Sequence, residues 1–230
     1  MKPKPSPVED LSPAVRRKVF IVEDHPVFRE GLTHIVNAEE DLTVCGEAGD
    51  AEQALPDIAR LKPHVVVVDI SLPGMSGLEL IKELRARNGG VKLLVVSMHD
   101  EALYADRVLR AGGDGYIMKQ EDPDEIIHAI RDVLDGHIYV SEEVLASRPK
   151  AAPQRAAEAK VSRIEQLTDL ELEALELLGR GRSNPEIARQ LHLSTDTLLS
   201  HCKRIQRKLN LKHTNELVRY AVCWVETGRT

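Results

Sequence analysis

The sequence predicts an α/β doubly wound five-stranded parallel sheet followed by a small all-α helix-turn-helix domain. Three observations carry that expectation. Strand-like apolar runs alternate with amphipathic helical patterns five times before Ser141, every pattern after Leu167 is helical, and 230 residues is a length for two compact domains.

The elements follow in order. Lys18–Val22 is a short apolar strand, and Phe28, Leu32, Ile35 and Val36 then recur at helical spacing. Leu42–Ala48 reads as a second strand and Ala51–Leu61 as a second helix. The run Val65-Val66-Val67-Val68 is continuously apolar, as strands buried on both faces of a parallel sheet are. Leu78, Leu80, Ile81 and Leu84 mark a third helix, Lys92–Ser97 a fourth strand, Ala102–Ala111 a helix and Gly115–Met118 a fifth strand. Ile126, Ile127, Ile130, Val133 and Leu134 form the closing helix stripe. Between Ser141 and about Gln166 the pattern fails around Pro149 and Pro153, which predicts a linker with a short helical stretch near Ala156–Ile164. Beyond it, Thr168 with Glu171 and Ser183 with Glu186 have capping-box spacing. A break at His192–Ser194 precedes a long helix to about Leu209, and a last helix runs from about Asn215 to Glu226. The expected division is an N-terminal arm over 1–17, a sheet domain over 18–141, a linker over 142–164 and a helical domain over 165–230.

Composition narrows the functional classes. Aromatics are 3% of the chain, too few for a stacking platform for single-stranded nucleic acid. No apolar run approaches the roughly 20 residues of a membrane span, and the N-terminus has no apolar core of a signal peptide, so no membrane association is expected. Cys45, Cys202 and Cys223 are scattered, which fits a reducing cytoplasm, and the nine His form no zinc-like cluster. The net charge of −6 hides an asymmetry: residues 1–141 carry 16 Lys and Arg against 25 Asp and Glu, whereas residues 180–212 carry 8 against 2. An acidic half joined to a basic stretch points to two jobs, one of them at phosphate backbones.

Doubly wound sheets gather function at the carboxyl ends of their strands. Strand one ends in Glu23-Asp24, strand three in Asp69, strand four in Ser97, and strand five leads to Lys119. Three carboxylates on one edge repel unless a cation joins them, and hard oxygen ligands suit Mg²⁺. A lysine and a hydroxyl on the same rim would hold an incoming phosphoryl group, with Asp69 as the nucleophile that takes it. Taken singly, each residue is more ordinarily a cap, a turn residue or a solvated charge, by roughly three to one. Five in order on five consecutive units outweigh that.

In the helical half, Leu198, Cys202, Ile205 and Leu209 share one helix face and should be core. Asp196, Ser200, Lys203 and Arg207 lie opposite, flanked by Leu199 and Arg204. Such a helix after a tight turn suits a major groove, with Lys203, Arg204, Arg207, Lys208 and the Thr195 hydroxyl on phosphates. On charge alone a merely solvated face is about as common. In the last helix Leu217, Val218 and Ala221 are expected in the core, and the surplus of apolar surface assigns Trp224 or Val225 to a dimer contact.

The stretches VEDHPVFREGL over 22–32, DISLPGMSG over 69–77, SMHDE over 97–101 and GYIMK over 115–119 resemble a two-component response-regulator receiver of the NarL/FixJ type, a flavodoxin-like fold. The resemblance implies that Asp69 accepts phosphate from a sensor histidine kinase. It also implies that Asp24 and Asp69 bind Mg²⁺ with the Ser71 carbonyl, that Glu23 acts through bound water, and that Ser97 and Lys119 contact the phosphoryl oxygens. Tyr116 would be the aromatic that changes rotamer with Ser97. Gln120 replaces the proline usual after the lysine, and strand one ends Glu-Asp rather than Asp-Asp. Residues 167–226, with GRSNPEIA over 181–188, LSTDT over 193–197, His201 and IQRKL over 205–209, resemble a LuxR-type helix-turn-helix. That implies a homodimer on double-stranded DNA and no turnover of an external substrate. Leu170 and Leu199 stand where basic residues are usual. Two alternatives stay open: a degenerate helix-turn-helix acting through protein contacts, and an aspartyl-phosphate phosphatase.

Overall fold

The computed structural model describes residues 16–87, 89–142, 144 and 163–227. Most of the expected arm and linker lie outside these residues. Strand β1 (Arg17–Val22) starts inside the expected arm, and a 3-10 turn (Arg163–Gln166) occupies the expected linker's end.

The sheet domain runs β1, α1 (Pro26–Ala38), β2 (Leu42–Ala48), α2 (Ala51–Leu61), β3 (Val65–Val68), α3 (Gly77–Arg87), β4 (Lys92–Ser97), α4 (Glu101–Ala111), β5 (Gly115–Met118) and α5 (Pro123–Leu134). All strand pairs are parallel, in the order β2-β1-β3-β4-β5. The chain turns outward from β1 in opposite directions, so the carboxyl ends of β1 and β3 sit side by side where a doubly wound sheet opens its crevice. Strand alternation divides the core. Val19, Ile21, Val65, Val67, Leu94 and Val96 pack with α1 and α5, through Leu32, Val36, Ile126 and Ile130. Phe20, Val22, Val66, Val68, Leu93 and Val95 face α2, α3 and α4. Period-two alternation within an apolar run is what a sheet covered on both faces requires.

The helical domain comprises α6 (Asp169–Gly179), α7 (Asn184–Gln190), α8 (Thr195–Leu209) and α9 (Thr214–Thr227). Thr168 caps α6: its hydroxyl accepts from the Glu171 N–H at 3.3 Å while the Glu171 carboxylate accepts from the Thr168 N–H at 2.8 Å. Ser183 likewise donates its backbone N–H to Glu186 at the start of α7. His192 takes a left-handed φ of 53° in the turn between α7 and α8, and the Ser194 hydroxyl then accepts from the Thr197 N–H. Leu198, Cys202, Ile205 and Leu209 are buried as their spacing demands.

Helix α9 corrects two expectations. Trp224 is 4% exposed and belongs to the core, with Val225 partly buried beside it, whereas Val218 is 40% exposed. The cause is Gly179 at the end of α6. A Cβ there would stand 2.4 Å from the Ala221 carbonyl and 2.5 Å from Val225, so its absence lets α9 approach closely enough to enclose the Trp224 side of the helix. Trp224 is thus unavailable to a partner.

The two domains are docked. The Arg107 guanidinium on α4 donates to the carbonyls of Ile164 and Leu167 at 3.0 Å and to Asp169 at 3.1 Å, with Lys82 of α3 also 3.4 Å from Asp169. The core on the α3 and α4 side of the sheet continues directly into the helical domain.

Candidate functional site

The acidic pocket forms because β1 and β3 end together. The Asp69 N–H donates to the Val22 carbonyl at 2.9 Å, placing Asp69 beside the Glu23-Asp24 pair. Ligand atoms of Glu23, Asp24, His25 and Asp69 all lie within 4.8 Å of one another. Lys119, carried in by β5, bridges them, with Nζ 2.8 Å from Asp69 Oδ2 and 2.7 Å from Glu23 Oε2. The Phe28 ring lies under the same ammonium, 4.7 Å from centroid to nitrogen. Burial disfavours the lysine's charge, but Asp69 and Glu23 outweigh it and its pKa is raised. Burial, then repulsion from Asp69, raises that of Glu23. The peptide bond between Lys119 and Gln120 is trans, as are all others among the described residues.

The structure therefore brings together Glu23, Asp24, Asp69 and Lys119, with Ser97 buried at the end of β4. Glu23 meets Lys119 directly. Asp24 is held differently on its two oxygens. Oδ2 lies 3.2 Å from His192 Nε2 of the helical domain, while Oδ1 is buried without a hydrogen-bond partner. His25 Nδ1 is within ion-pairing range of Oδ1, at 2.8 Å, without hydrogen-bonding it. An orphaned carboxylate oxygen among three carboxylates is a donor set that fits a hard divalent cation. Beside the Asp69 backbone, Gly77 leaves no room for a side chain: a Cβ there would stand 2.0 Å from the Asp69 carbonyl oxygen.

Sequence reasoning missed the link from this pocket to the helical domain. Ser97 Oγ accepts from the His99 N–H at 3.3 Å, and Tyr116, fully buried, donates its hydroxyl to the His99 carbonyl at 2.8 Å. The His99 imidazole then passes between two glutamates of α6, with Nδ1 2.9 Å from Glu176 and Nε2 3.2 Å from Glu173. Ser71 donates its hydroxyl to Glu173 at 2.5 Å, and its Oγ is 2.9 Å from His99 Nε2. Burial works against charge on His99, but the two glutamates overcome it and push its pKa up to about 10. Glu176 stays below the usual carboxylate range because His99, followed by Arg180, outweighs its burial. The signal available in the sequence was the pair Glu173 and Glu176 on a helix otherwise rich in Leu. Residues Glu171–Leu178 are buried without interruption, so those carboxylates needed a partner.

On α8, Thr195, Asp196, Leu199, Ser200, Lys203, Arg204 and Arg207 are exposed. Ser200 donates its hydroxyl to the Asp196 carbonyl at 2.9 Å. Lys208, expected at a phosphate, is engaged within the domain. Its ammonium is 2.6 Å from the buried Glu171, tying α8 to the cap of α6. Arg204 lines a cavity of about 600 Å³ between the helical domain and the loop after β3, alongside Lys82 and Arg107.

A doubly wound domain with an acid-and-lysine pocket, docked through the loop after β4 onto a helix-turn-helix bundle, is a signal-input module coupled to a gene-regulatory output. Comparison with known proteins agrees in both halves. Residues 19–131 match the response regulator receiver domain family, and residues 165–221 match the bacterial regulatory proteins of the luxR family. The chain is 32% identical over 214 residues to the nitrate/nitrite response regulator protein NarL of Escherichia coli (strain K12), covering 92% of this chain and 95% of that one. It is 34% identical over 210 residues to the oxygen regulatory protein NreC of Staphylococcus epidermidis (strain ATCC 35984), covering 89% and 96%. Among solved structures it is similar to a LuxR-family two-component response regulator from Aurantimonas sp. SI85-9A1, at 31% identity and TM-score 0.55 over 57% of this chain and 94% of that one. The RcsB response regulator of Salmonella typhimurium matches at 26% identity and TM-score 0.53 over 90% and 98%. The chain belongs to the two-component response regulators with a LuxR-type DNA-binding domain, and acts as a transcriptional regulator of that family. Among the described residues no helix is long and apolar enough to cross a membrane.

Proposed function

We propose that the segment 18–141 accepts a phosphoryl group on Asp69 from a sensor histidine kinase, and that 165–230, tethered by 142–164, then binds promoter DNA as a homodimer in the cytoplasm. The observation that carries this reading is the Lys119 ammonium held 2.8 Å from Asp69 in a pocket of further carboxylates. An Asp69 oxygen attacks phosphorus, a new O–P bond forms, and the P–N bond to the donor imidazole breaks with the electron pair staying on nitrogen. Asp24, Asp69 and the Ser71 carbonyl would hold Mg²⁺, which when bound neutralises charge on the transferring oxygens. Lys119 moves from the carboxylate pair to the new phosphoryl oxygens, and Ser97 offers its hydroxyl to another. Because the His99 N–H rests on Ser97 Oγ and the His99 carbonyl accepts from Tyr116, a shift of either strains the His99 contact with α6. The protein modifies itself and turns over no external substrate.

For DNA, α8 offers Thr195, Ser200, Lys203, Arg204 and Arg207 to phosphates and Leu199 to a thymine methyl. Arg204 faces the loop after β3 in the docked arrangement, so undocking frees that edge of the helix for a duplex. Full-length protein treated with beryllofluoride and Mg²⁺ is expected to bind promoter fragments more tightly and with strong salt dependence. Equal, salt-insensitive retention with and without the phosphate mimic would reject the reading.

A further inference from the structure

The geometry points to His192, a residue of the output domain, as a positioning residue for Asp24 in the receiver's metal site. The inference rests on the reading above that Asp24 holds the divalent cation. His192 Nε2 lies 3.2 Å from Asp24 Oδ2, across 168 residues of sequence, and the other oxygen of that carboxylate is the one left buried without a hydrogen-bond partner. A carboxylate that ligates a metal through one oxygen is ordinarily fixed by a hydrogen bond on the other, and such outer partners are worth roughly 10–100-fold in metal affinity. Here that partner comes from the neighbouring domain. The left-handed turn at His192, with φ 53°, projects the ring across a cavity of about 250 Å³ that Asp24, Asp69, Lys119 and His192 line together. Glu173 of the same domain also holds the Ser71 hydroxyl, on the residue whose carbonyl is the third expected ligand. The docked output domain thus completes the outer shell of the pocket, and cation binding and docking reinforce one another, as thermodynamic linkage requires.

The test is calorimetric titration of the full chain with Mg²⁺ alone, paired with small-angle scattering with and without the ion. His192→Gly suits the left-handed turn and removes the imidazole. It is expected to weaken Mg²⁺ binding about tenfold. His192→Gln, which restores an N–H donor of similar reach, should recover most of the loss, a rescue that a purely structural role for the turn would not give. Mg²⁺ should make the unmodified protein more compact and leave His192→Gly unchanged. Equal Mg²⁺ affinity in the unmodified protein and His192→Gly, or expansion on adding Mg²⁺, overturns the inference while leaving the metal site intact. Absence of Mg²⁺ binding by the unmodified protein, with Asp24→Asn indistinguishable from it, overturns the metal reading beneath it.

Discussion

Tyr116 donates its hydroxyl to the main-chain carbonyl of His99 at 2.8 Å, and the side chain of that same His99 is what the output domain grips. One residue therefore joins Tyr116 through its backbone and the domain interface through its imidazole. A change at the end of β4 has no need of a long relay, since the two arrangements share an atom-to-atom connection.

Replacing His99 by Gln removes the charge that compensates two buried carboxylates. Breaking one side of a buried charged pair costs about 3–5 kcal/mol, and undocking relieves it by letting Glu173 and Glu176 reach water. His99→Gln is expected to shift the full chain to an extended arrangement without phosphorylation, read as a larger radius of gyration and tighter basal DNA binding. A scattering profile matching the unmodified protein would count against this role.

The same contact makes docking depend on pH. The His99 pKa rises from an ordinary 6.5 to about 10 when the domains meet, so docking takes up a proton. Its contribution is complete below about 6.5 and is lost as pH rises through 10. Glu176, whose pKa is lowered, contributes above its ordinary value of 4.5 and fails as pH falls below it. Interdomain energy transfer between dyes is expected to be steady near pH 6 and to fall progressively toward pH 10, with His99→Gln flat over that range.

Gly77→Ala places a methyl group 2.0 Å from the Asp69 carbonyl, a contact no rotamer change can relieve. Overpacking of this kind costs about 1–3 kcal/mol, and the backbone that moves is that of Asp69. Chemical denaturation should show the loss, and phosphorylation by acetyl phosphate should slow by at least tenfold even where the variant remains folded.

Lys208→Met should act on stability before it acts on DNA. Its ammonium neutralises Glu171, a buried carboxylate whose pKa is kept low by Lys208 and Thr168 against its burial. A loss of about 1–3 kcal/mol is expected, against little change for the exposed Lys203→Met, with the two compared by thermal unfolding.

The sheet, its strand boundaries and the carboxyl-edge residues were legible because each depends on local patterning. Val65–Val68, four β-branched residues in a continuous apolar run, reads as a strand covered on both faces, and Glu23, Asp69 and Lys119 fall at strand ends whatever the packing angles. The interface was not legible, because nothing within α6 says that Glu173 and Glu176 meet a histidine more than 70 residues away. Trp224 was misplaced for a related reason. Counting apolar residues on α9 takes no account of Gly179, whose missing side chain allows the close approach that buries the indole. Helix spacing places Lys208 near the basic face but says nothing of the buried Glu171 on α6 with which it pairs.

The most direct test is to treat the full chain with acetyl phosphate and Mg²⁺, reduce any acyl phosphate with borohydride and map the product by peptide mass spectrometry. Homoserine at position 69, absent without Mg²⁺ and absent in Asp69→Asn, is the expected result. Modification at another carboxylate, or undiminished modification of the Asp69→Asn protein, would contradict the assignment of Asp69 as the phosphoacceptor.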